Sequence, residues 1–256
     1  MIIRKSPAEL DKMRRSGLLV YQILRTVADM VKEGVSTLEL ETTAERLILE
    51  AGARPAFKGY YSASAGNRYP YVLCTSVNDE IVHGMPSKHK ILRKGDIISI
   101  DTGVQLEGYY GDSAITVGVG EISPQLERLL TVTKESLERA IDQVREGNRL
   151  FDICASVQKY VESNGFTIVR EFVGHGIGTE LHEEPQVPNY VDRNNENPRL
   201  KEGMVLAIEP ILNEKSSRIK ITRDGYTYVT GDKKLSVHVE HTLVVTKDGC
   251  EVLTKV

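Results

Sequence analysis

The chain has 256 residues, of which 40% are hydrophobic and 27% charged, and its formal net charge is −3. This composition is typical of a soluble globular protein with one large core or two smaller ones. The slightly acidic balance gives no electrostatic reason for nucleic acid or an anionic membrane as the main partner, so a small or neutral substrate fits better.

The amino-terminal stretch MIIRKSPAELDKMRRSG has no apolar run of the signal-peptide type, and no run of about 18 apolar residues occurs anywhere in the sequence. We therefore expect a cytoplasmic protein. The three cysteines, Cys74, Cys154 and Cys250, lie far apart and form no CxxC pair, so reduced and mostly buried thiols are expected.

Hydrophobic periodicity and turn residues predict an α+β protein in which helices and antiparallel strands share each half. The predicted helices cover roughly residues 7–33, 36–51, 124–145 and 150–163. The predicted strands cover roughly residues 70–77, 96–104, 109–118, 167–173, 204–212, 218–222, 226–229, 236–246 and 250–254. The polar segment 188–200 is predicted to be a surface loop.

Two pairs of similar segments indicate an internal duplication. VKEGVSTLELETTAERLILEAGA, from Val31, aligns with VREGNRLFDICASVQKYVESNGF, from Val144, at an offset of 113 residues. LRKGDIISID, from Leu92, aligns with LKEGMVLAIE, from Leu200, at an offset of 108 residues. A strand after a Lys-Gly turn often looks like the second pair, but two matches in the same order favour a duplication. We predict one catalytic domain, residues 1–256, with pseudo-symmetric halves of about 1–122 and 123–256.

The stretch IISIDTGVQLEGYYGD, residues 97–112, carries two aspartates in one predicted β-hairpin. A turn centred on Leu106 and Glu107 predicts that Asp101 directly faces Asp112, with Cβ atoms roughly 4.5–5.5 Å apart. A shared proton, an arginine clamp or a metal cation would neutralise such a pair. The alternative is a solvent-exposed hairpin end with a looser register that keeps the charges apart.

The second half of the chain favours a metal. In the duplicated segment Glu209 takes the place of Asp101, again at the end of an apolar strand. Glu240 lies in SVHVEHTLVVT, where strand alternation puts it on one face with His238 and Thr242. A cluster of four carboxylates cannot ionise together without cations, whereas a shared proton would serve only two of them.

Two histidines qualify as nitrogen ligands or partners of such a cluster. His175 and His182 lie in EFVGHGIGTELHEEP, where three glycines let the backbone approach a ligand closely. His83, in VNDEIVHGMP, is expected to face a pocket. His89 and His241 are predicted to lie at the surface or just outside the ligand set. The role of His238 is left open.

The order VHG, IDTG…GD, GHGIG…HEEP, IEP and EHT resembles the methionine aminopeptidases, specifically their type 1 branch, across nearly the whole chain. The resemblance implies the pita-bread fold of the creatinase and aminopeptidase group, with a dinuclear metal centre between two pseudo-symmetric halves. Carried over residue by residue, the implied metal ligands are Asp101, Asp112, His175, Glu209 and Glu240, with Asp112 and Glu240 bridging. The implied cofactors are two divalent ions drawn from Co²⁺, Mn²⁺, Fe²⁺ and Zn²⁺, and the oxygen-rich ligand set favours the first three over a structural zinc.

The resemblance also implies the reaction, which is removal of the N-terminal methionine from nascent proteins and peptides with a small second residue. A hydroxide shared by the two cations would be the nucleophile. Glu209 would take and return the proton, His182 would bind the scissile carbonyl or the tetrahedral intermediate, and His83 would bind the substrate amide. The implied methionine pocket consists of Tyr69, Cys74, Leu181 and Tyr226.

The sequence departs from the family pattern around that pocket. Residues 61–68, YSASAGNR, make the connection after FKGY about six residues longer than is common. The extra residues would either alter substrate access or form a neutral surface loop. Leu181 stands where phenylalanine is usual, and Tyr226 where tryptophan is common.

Two alternatives remain within the same fold. Prolidases and aminopeptidases P cleave next to proline, but they usually bring an additional amino-terminal domain, and few residues precede the first ligand here. A non-catalytic adaptor would not need all five ligand positions and both flanking histidines. For partners we expect nascent chains and peptides with N-terminal methionine, a transient ribosome contact, no membrane, no specific nucleic acid and a monomeric protein.

Overall fold

The computed structural model describes residues 1–255. Its helices are α1 Pro7–Asp29, α2 Thr37–Glu50, α3 Pro124–Ile141 and α4 Leu150–Ser163. Its strands are β1 Arg54–Pro55, β2 Tyr61–Ser62, β3 Asn67–Arg68, β4 Cys74–Val77, β5 Glu80–Val82, β6 Ile97–Leu106, β7 Tyr109–Gly118, β8 Thr167–Ile168, β9 Gly174–Gly176, β10 Glu183–Val187, β11 Val205–Ile208, β12 Ile211–Asn213, β13 Ile219–Ile221, β14 Tyr228–Thr230, β15 Ser236–His238, β16 His241–Val245 and β17 Cys250–Val252. The α+β class is confirmed. Within residues 1–255, every helix is too short or too polar to cross a membrane.

Local signals set the helix boundaries. Ser36 caps α2: the Glu39 backbone N–H donates to its hydroxyl at 3.3 Å, and the Glu39 carboxylate accepts the Ser36 N–H at 2.8 Å. Helices α1 and α3 both end four residues before the predicted position, because their last turns tighten into i→i−3 hydrogen bonds. Gly34 and Gly147 then follow with positive φ.

The strand pairing forms two main antiparallel sheets. In the first half β6 pairs with β7 along one side and with β4 and β1 along the other, and α1 packs against β6 and β7. In the second half the order is β10-β9-β11-β16-β17, and α3 packs on α4. Each half has its own apolar core. The smaller sheets β15-β12-β8 and β13-β14-β5 lie beside them.

The hairpin turn between β6 and β7 differs from the prediction. Its two central residues are Glu107, with φ of 52°, and Gly108, with φ of 83°, rather than Leu106 and Glu107. A type I′ turn, which is a two-residue hairpin turn that fits the strand twist, needs positive φ at both positions. Glycine adopts such a backbone readily, whereas the predicted turn would have put a leucine there.

The shifted turn changes the pairing of the two aspartates. Asp112 lies opposite Gly103, and Asp101 lies opposite Ala114. The prediction that the aspartates face each other directly is therefore wrong. They remain on one face of the hairpin as diagonal neighbours, roughly 7–8 Å apart. Gly103 leaves space for the Asp112 carboxylate, because a Cβ there would lie 3.2 Å from Asp112 Oδ1.

Two strands predicted as continuous are interrupted at an acidic residue. Between β11 and β12 lie Glu209 and Pro210, and Pro210 has no backbone N–H for a ladder. Between β15 and β16 lie Val239 and Glu240. The backbone groups of the gaps find partners elsewhere: the Val239 N–H donates to the Pro210 carbonyl at 3.2 Å, and the Glu240 N–H donates to Ala114 O at 2.9 Å.

The halves meet along a seam, which we define as the contact between β7 and residues 238–242. The Thr242 hydroxyl donates to Asp112 O at 2.7 Å and accepts the Asp112 N–H at 3.1 Å. The Ser113 hydroxyl donates to Glu240 O at 2.6 Å. Asp112 from one half and Glu240 from the other are thus held side by side through their backbones.

Candidate active site

A cavity of about 300 Å³ opens beside the seam. Its walls contain all the residues singled out from the sequence: Asp101, Asp112, His175, Glu209, Glu240, His83, His182, Tyr69, Cys74, Leu181 and Tyr226. They come from both halves of the chain. The cavity is also lined by Tyr61 and Ser62 of the longer connection, and by four residues that the sequence did not point to: Phe57, Tyr60, Phe172 and Val173.

Three candidate ligands converge at the bottom of this cavity. One side-chain oxygen of Asp112, one of Glu240 and one ring nitrogen of His175 lie within 4.8 Å of one another. All three residues are buried, with exposed fractions of 4%, 3% and 7%. Oxygen and nitrogen atoms at such separations can share one cation.

The carboxylates lack the partners that buried charges need. Oδ1 of Asp101, Oδ1 of Asp112 and Oε1 of Glu240 are buried without a hydrogen bond to any described residue. Burial raises the pKa of Asp112 to about 7, and burial together with neighbouring carboxylates raises the pKa values of Asp101, Glu209 and Glu240 well above normal. Divalent cations would remove this cost, so the donor set fits a metal centre.

The sequence around His175 fixes how its ring is presented. Nδ1 lies 2.9 Å from the Gly176 carbonyl oxygen, so it carries the proton and donates it, which leaves the Nε2 lone pair free. Nε2 lies 3.9 Å from Oε1 of Glu209. Burial lowers the pKa of His175 to about 3, so the ring is neutral. A Cβ at Gly174 would clash with the Ala207 carbonyl oxygen, which explains the glycine before it.

The other two predicted histidines stand on the walls above the carboxylates. His83 has a positive φ of 58° and packs edge-on against Phe172 and Tyr228, with ring centroids 5.5 and 6.0 Å away. Although its ring is open to the cavity, the surrounding protein atoms lower the pKa of His83 to about 4. His182 is exposed, and its ring centroid lies 4.4 Å from that of His175.

An apolar recess adjoins the carboxylates. Tyr69, Cys74 and Tyr226 form a buried cluster, and the rings of Tyr69 and Tyr226 meet edge to face at 5.5 Å. The Tyr69 hydroxyl donates to Leu73 O at 2.9 Å, so its polar end is satisfied inside the recess. Burial keeps the Cys74 thiol protonated by raising its pKa.

Two residues that support the site were not assigned from the sequence. His238 is buried, and its Nε2 lies 3.7 Å from Oε2 of Glu209 without a hydrogen bond within the described chain. The strand alternation that put His238 on the face of Glu240 was the available signal. Glu41 accepts the Val72 and Leu73 N–H groups, both at 2.8 Å, and so anchors the segment before Cys74. An acidic residue on the apolar face of α2 was its signal.

Grouped carboxylates, a neutral imidazole and an apolar recess at the junction of two sheets define the class of protein, which is a metal-dependent hydrolase. Residues 11–247 match the description metallopeptidase family M24. The chain belongs to metallopeptidase family M24. Membership implies divalent metal ions, in agreement with the donor set.

Relatives cover the whole chain. The protein is 47% identical to methionine aminopeptidase 1 of Bacillus subtilis over 256 residues, which span 100% of both chains. The solved structure of methionine aminopeptidase from Thermotoga maritima matches with a TM-score of 0.94 and 42% identity, again over 100% of both chains. A prolidase from Pyrococcus horikoshii, with a TM-score of 0.79 and 24% identity over 64% of its chain, shows the shared fold alone. The predicted pita-bread fold and family resemblance are confirmed.

Proposed function

We propose that this protein removes the N-terminal methionine from peptides and nascent proteins, with preference for a small second residue. The observation that carries the proposal is the apolar recess of Tyr69, Cys74 and Tyr226 directly beside the buried carboxylates. The likeness to relatives named methionine aminopeptidase over the whole chain supports it.

The metal centre is proposed to hold two divalent ions, with Mn²⁺, Fe²⁺ and Co²⁺ preferred and Zn²⁺ as a further candidate. The proposed ligands are Asp101, Asp112, His175, Glu209 and Glu240. Bound divalent ions supply Lewis acidity, which lowers the pKa of water and stabilises negative charge. The unpartnered oxygens of Asp101, Asp112 and Glu240 support this assignment.

The protein's own groups would move the proton and hold the substrate. Glu209 lies between the ring nitrogens of His175 and His238, at 3.9 and 3.7 Å, and its carboxylate is proposed to take a proton and return it to the leaving amine. His182 is proposed to donate a hydrogen bond to the scissile carbonyl. His83 is proposed to bind the substrate amide, and its lowered pKa keeps the ring neutral.

The recess is proposed to select methionine by its chemistry. Its walls are aromatic, aliphatic and thiol groups, and its tyrosine hydroxyls already have partners: Tyr69 bonds Leu73 O and Tyr226 bonds Arg68 O. A flexible, polarisable thioether fits such walls, whereas a charged side chain would be buried without a partner.

The wider setting is also proposed. Residues 1–256 would form one catalytic domain with halves of about 1–122 and 123–256. The enzyme would work as a cytoplasmic monomer that meets nascent chains during a transient ribosome contact.

The test is release of free methionine by the protein loaded with Mn²⁺ or Co²⁺. We expect release from Met-Gly and Met-Ala peptides and none from N-acetylated Met-Ala peptides. Peptides with proline in second place after a residue other than methionine serve as the comparison. No release with any divalent metal would overturn the proposal, and faster cleavage before proline would favour an Xaa-Pro aminopeptidase.

A further inference from the structure

The longer connection after FKGY folds into a small hairpin, which we call the rim hairpin, residues 59–69. Strands β2 and β3 pair within it, with Tyr61 opposite Arg68. At its base the Tyr69 N–H donates to Tyr60 O and the Gly59 N–H donates to Tyr69 O, both at 2.8 Å. The rim hairpin therefore has a defined, hydrogen-bonded backbone.

The rim hairpin is also attached to the opposite wall of the cavity. The Ser64 hydroxyl donates to Gly225 O at 3.0 Å, and the Tyr226 hydroxyl donates to Arg68 O at 2.9 Å. A Cβ at Gly225 would lie 2.9 Å from Ala65 Cα, so the two segments are in close contact. These bonds fix the position of Tyr60 at the cavity edge.

Tyr60 reaches one particular atom of the site. Its hydroxyl lies 2.9 Å from Nδ1 of His182, and the two rings meet edge to face at 5.4 Å. No other hydrogen bond of the Tyr60 hydroxyl is found in residues 1–255. A phenol hydroxyl is a better donor to an imidazole nitrogen than the reverse, so the tyrosine is the donor in this pair.

We propose that Tyr60 is a positioning residue, which holds His182 in the tautomer that carries its proton on Nε2. This inference rests on the proposed function, because it concerns the hydrogen bond that His182 gives to the substrate. A neutral imidazole has one N–H. With Nδ1 accepting from Tyr60, Nε2 is left as the donor toward the cavity. The opposite tautomer would present a bare nitrogen to the carbonyl oxygen and would repel it.

The first test uses Tyr60→Phe, which keeps the ring and removes the hydroxyl. Loss of one neutral hydrogen bond predicts that kcat for Met-Ala-Ser falls about 3- to 10-fold, with a smaller change in KM. Tyr160→Phe is the matched control, because its hydroxyl bonds Glu135 on the helical side of the second half, away from the cavity. An unchanged kcat in Tyr60→Phe, or an equal fall in Tyr160→Phe, would overturn the inference.

A second test does not depend on turnover. Ring ¹⁵N shifts of His182 in the metal-free protein, and in the protein loaded with diamagnetic Zn²⁺, should show the proton on Nε2 in the wild type and a mixture of tautomers in Tyr60→Phe. A proton on Nδ1 in the wild type, or identical shifts in the variant, would refute the inference. In a His182→Ala background, Tyr60→Phe should lower residual activity no further. A wild-type protein that releases no methionine would instead contradict the proposed function.

Discussion

The two halves share one scaffold, and the hydrogen bonds repeat at the same offsets as the sequence. α2 and α4 have the same length, and their bounds differ by 113 residues throughout. The Gly34 N–H donates to Leu92 O at 2.9 Å, and the Gly147 N–H donates to Leu200 O at 3.1 Å. Ser36 bridges Ile91 in one half as Arg149 bridges Arg199 in the other.

The halves differ in how they present their acidic residues. Asp101 and Asp112 sit inside a continuous hairpin of two ten-residue strands. Glu209 and Glu240 sit in gaps between short strands, from which a longer side chain turns toward the cavity. The second half also brings most of the histidines of the site. The first half therefore contributes carboxylates from one regular hairpin, whereas the second half contributes carboxylates from strand gaps together with most of the histidines.

The largest effect should follow from Asp112→Asn, which removes charge from the β6–β7 hairpin. Because Asp112 lies within reach of ligand atoms from the other half, we expect activity to fall by more than about 100-fold, since even outer partners of metal ligands typically cost 10–100-fold. Calorimetric titration with Mn²⁺ should show weakened binding. Asp248→Asn, at an exposed turn, is the control. Wild-type turnover in the Asp112 variant would contradict the assignment.

The proposed methionine pocket takes side chains from both halves: Cys74 of the apolar recess comes from the first half, and Leu181, which lines the same cavity but packs in a separate apolar cluster, comes from the second. Cys74→Ala removes a small group from the first half, and Leu181→Ala removes a larger one from the second. We expect kcat/KM for Met-Ala-Ser to fall about 10- to 100-fold in Leu181→Ala and less in Cys74→Ala, since one to three kcal/mol is typical of lost apolar contact. Equal, small effects in both variants would show that the recess does not hold the methionine side chain.

The folding stability of the metal-free protein depends on pH through two opposing contributions, one from the carboxyl groups and one from the histidines. The site carboxyls have raised pKa values when folded, so the folded state binds more protons and stability falls as pH rises above about 4. Three histidines of the site have lowered pKa values, about 3 for the buried His175 and His238 and about 4 for His83, so stability rises with pH up to about 6.5. Above pH 6.5 only the carboxyl groups still change the stability with pH.

We therefore expect the metal-free protein to lose stability as the pH rises above about 6.5. Each carboxyl that is still protonated contributes a slope of up to about 1.4 kcal/mol per pH unit. Thermal unfolding in a chelator measures it, and saturating Mn²⁺ should flatten the curve by replacing those protons. A metal-free stability that stays level or rises over this range would show that the carboxylates are compensated without a cation.

The smallest effect tests whether the halves are energetically as well as geometrically alike. Gly34 and Gly147 have φ of +87° and +92°, and a Cβ at either would meet nothing within 4 Å. Alanine at each should therefore cost only the left-handed backbone, about 1–2 kcal/mol. Urea unfolding of the metal-loaded variants should give equal losses to within about 0.5 kcal/mol. Clearly unequal losses of unfolding free energy would show that the two halves are alike in geometry but not in energetics.

The sequence was most informative where local chemistry decides the structure. Hydrophobic periodicity and turn residues predicted α2 and α4 to within one residue at each end. The β6–β7 register was mispredicted, because the choice between two adjacent turns depends on backbone dihedrals that leucine and glycine tolerate differently. The strand gaps at Glu209 and Glu240 were missed, since tertiary partners such as Ala114 replace the ladder there.

Prediction of the candidate site from the sequence also succeeded for local signals and failed for tertiary contacts. Strand ends and like charges pointed to Asp101, Asp112, Glu209 and Glu240, and glycine-rich or turn-flanked stretches pointed to His175, His182 and His83. Tyr60 was not found, because its contact with His182 spans 122 residues and depends on a hairpin that the sequence shows only as extra length.

The seam has a consequence for which ions the protein accepts. Hydroxyl groups of Thr242 and Ser113 bind carbonyls across it, and hydrogen bonds are directional where apolar packing can slide. The spacing between the backbones of Asp112 and Glu240 is therefore fixed before any ion arrives. We expect affinity to follow ionic radius steeply, with large cations such as Ca²⁺ excluded by size even though oxygen ligands suit them.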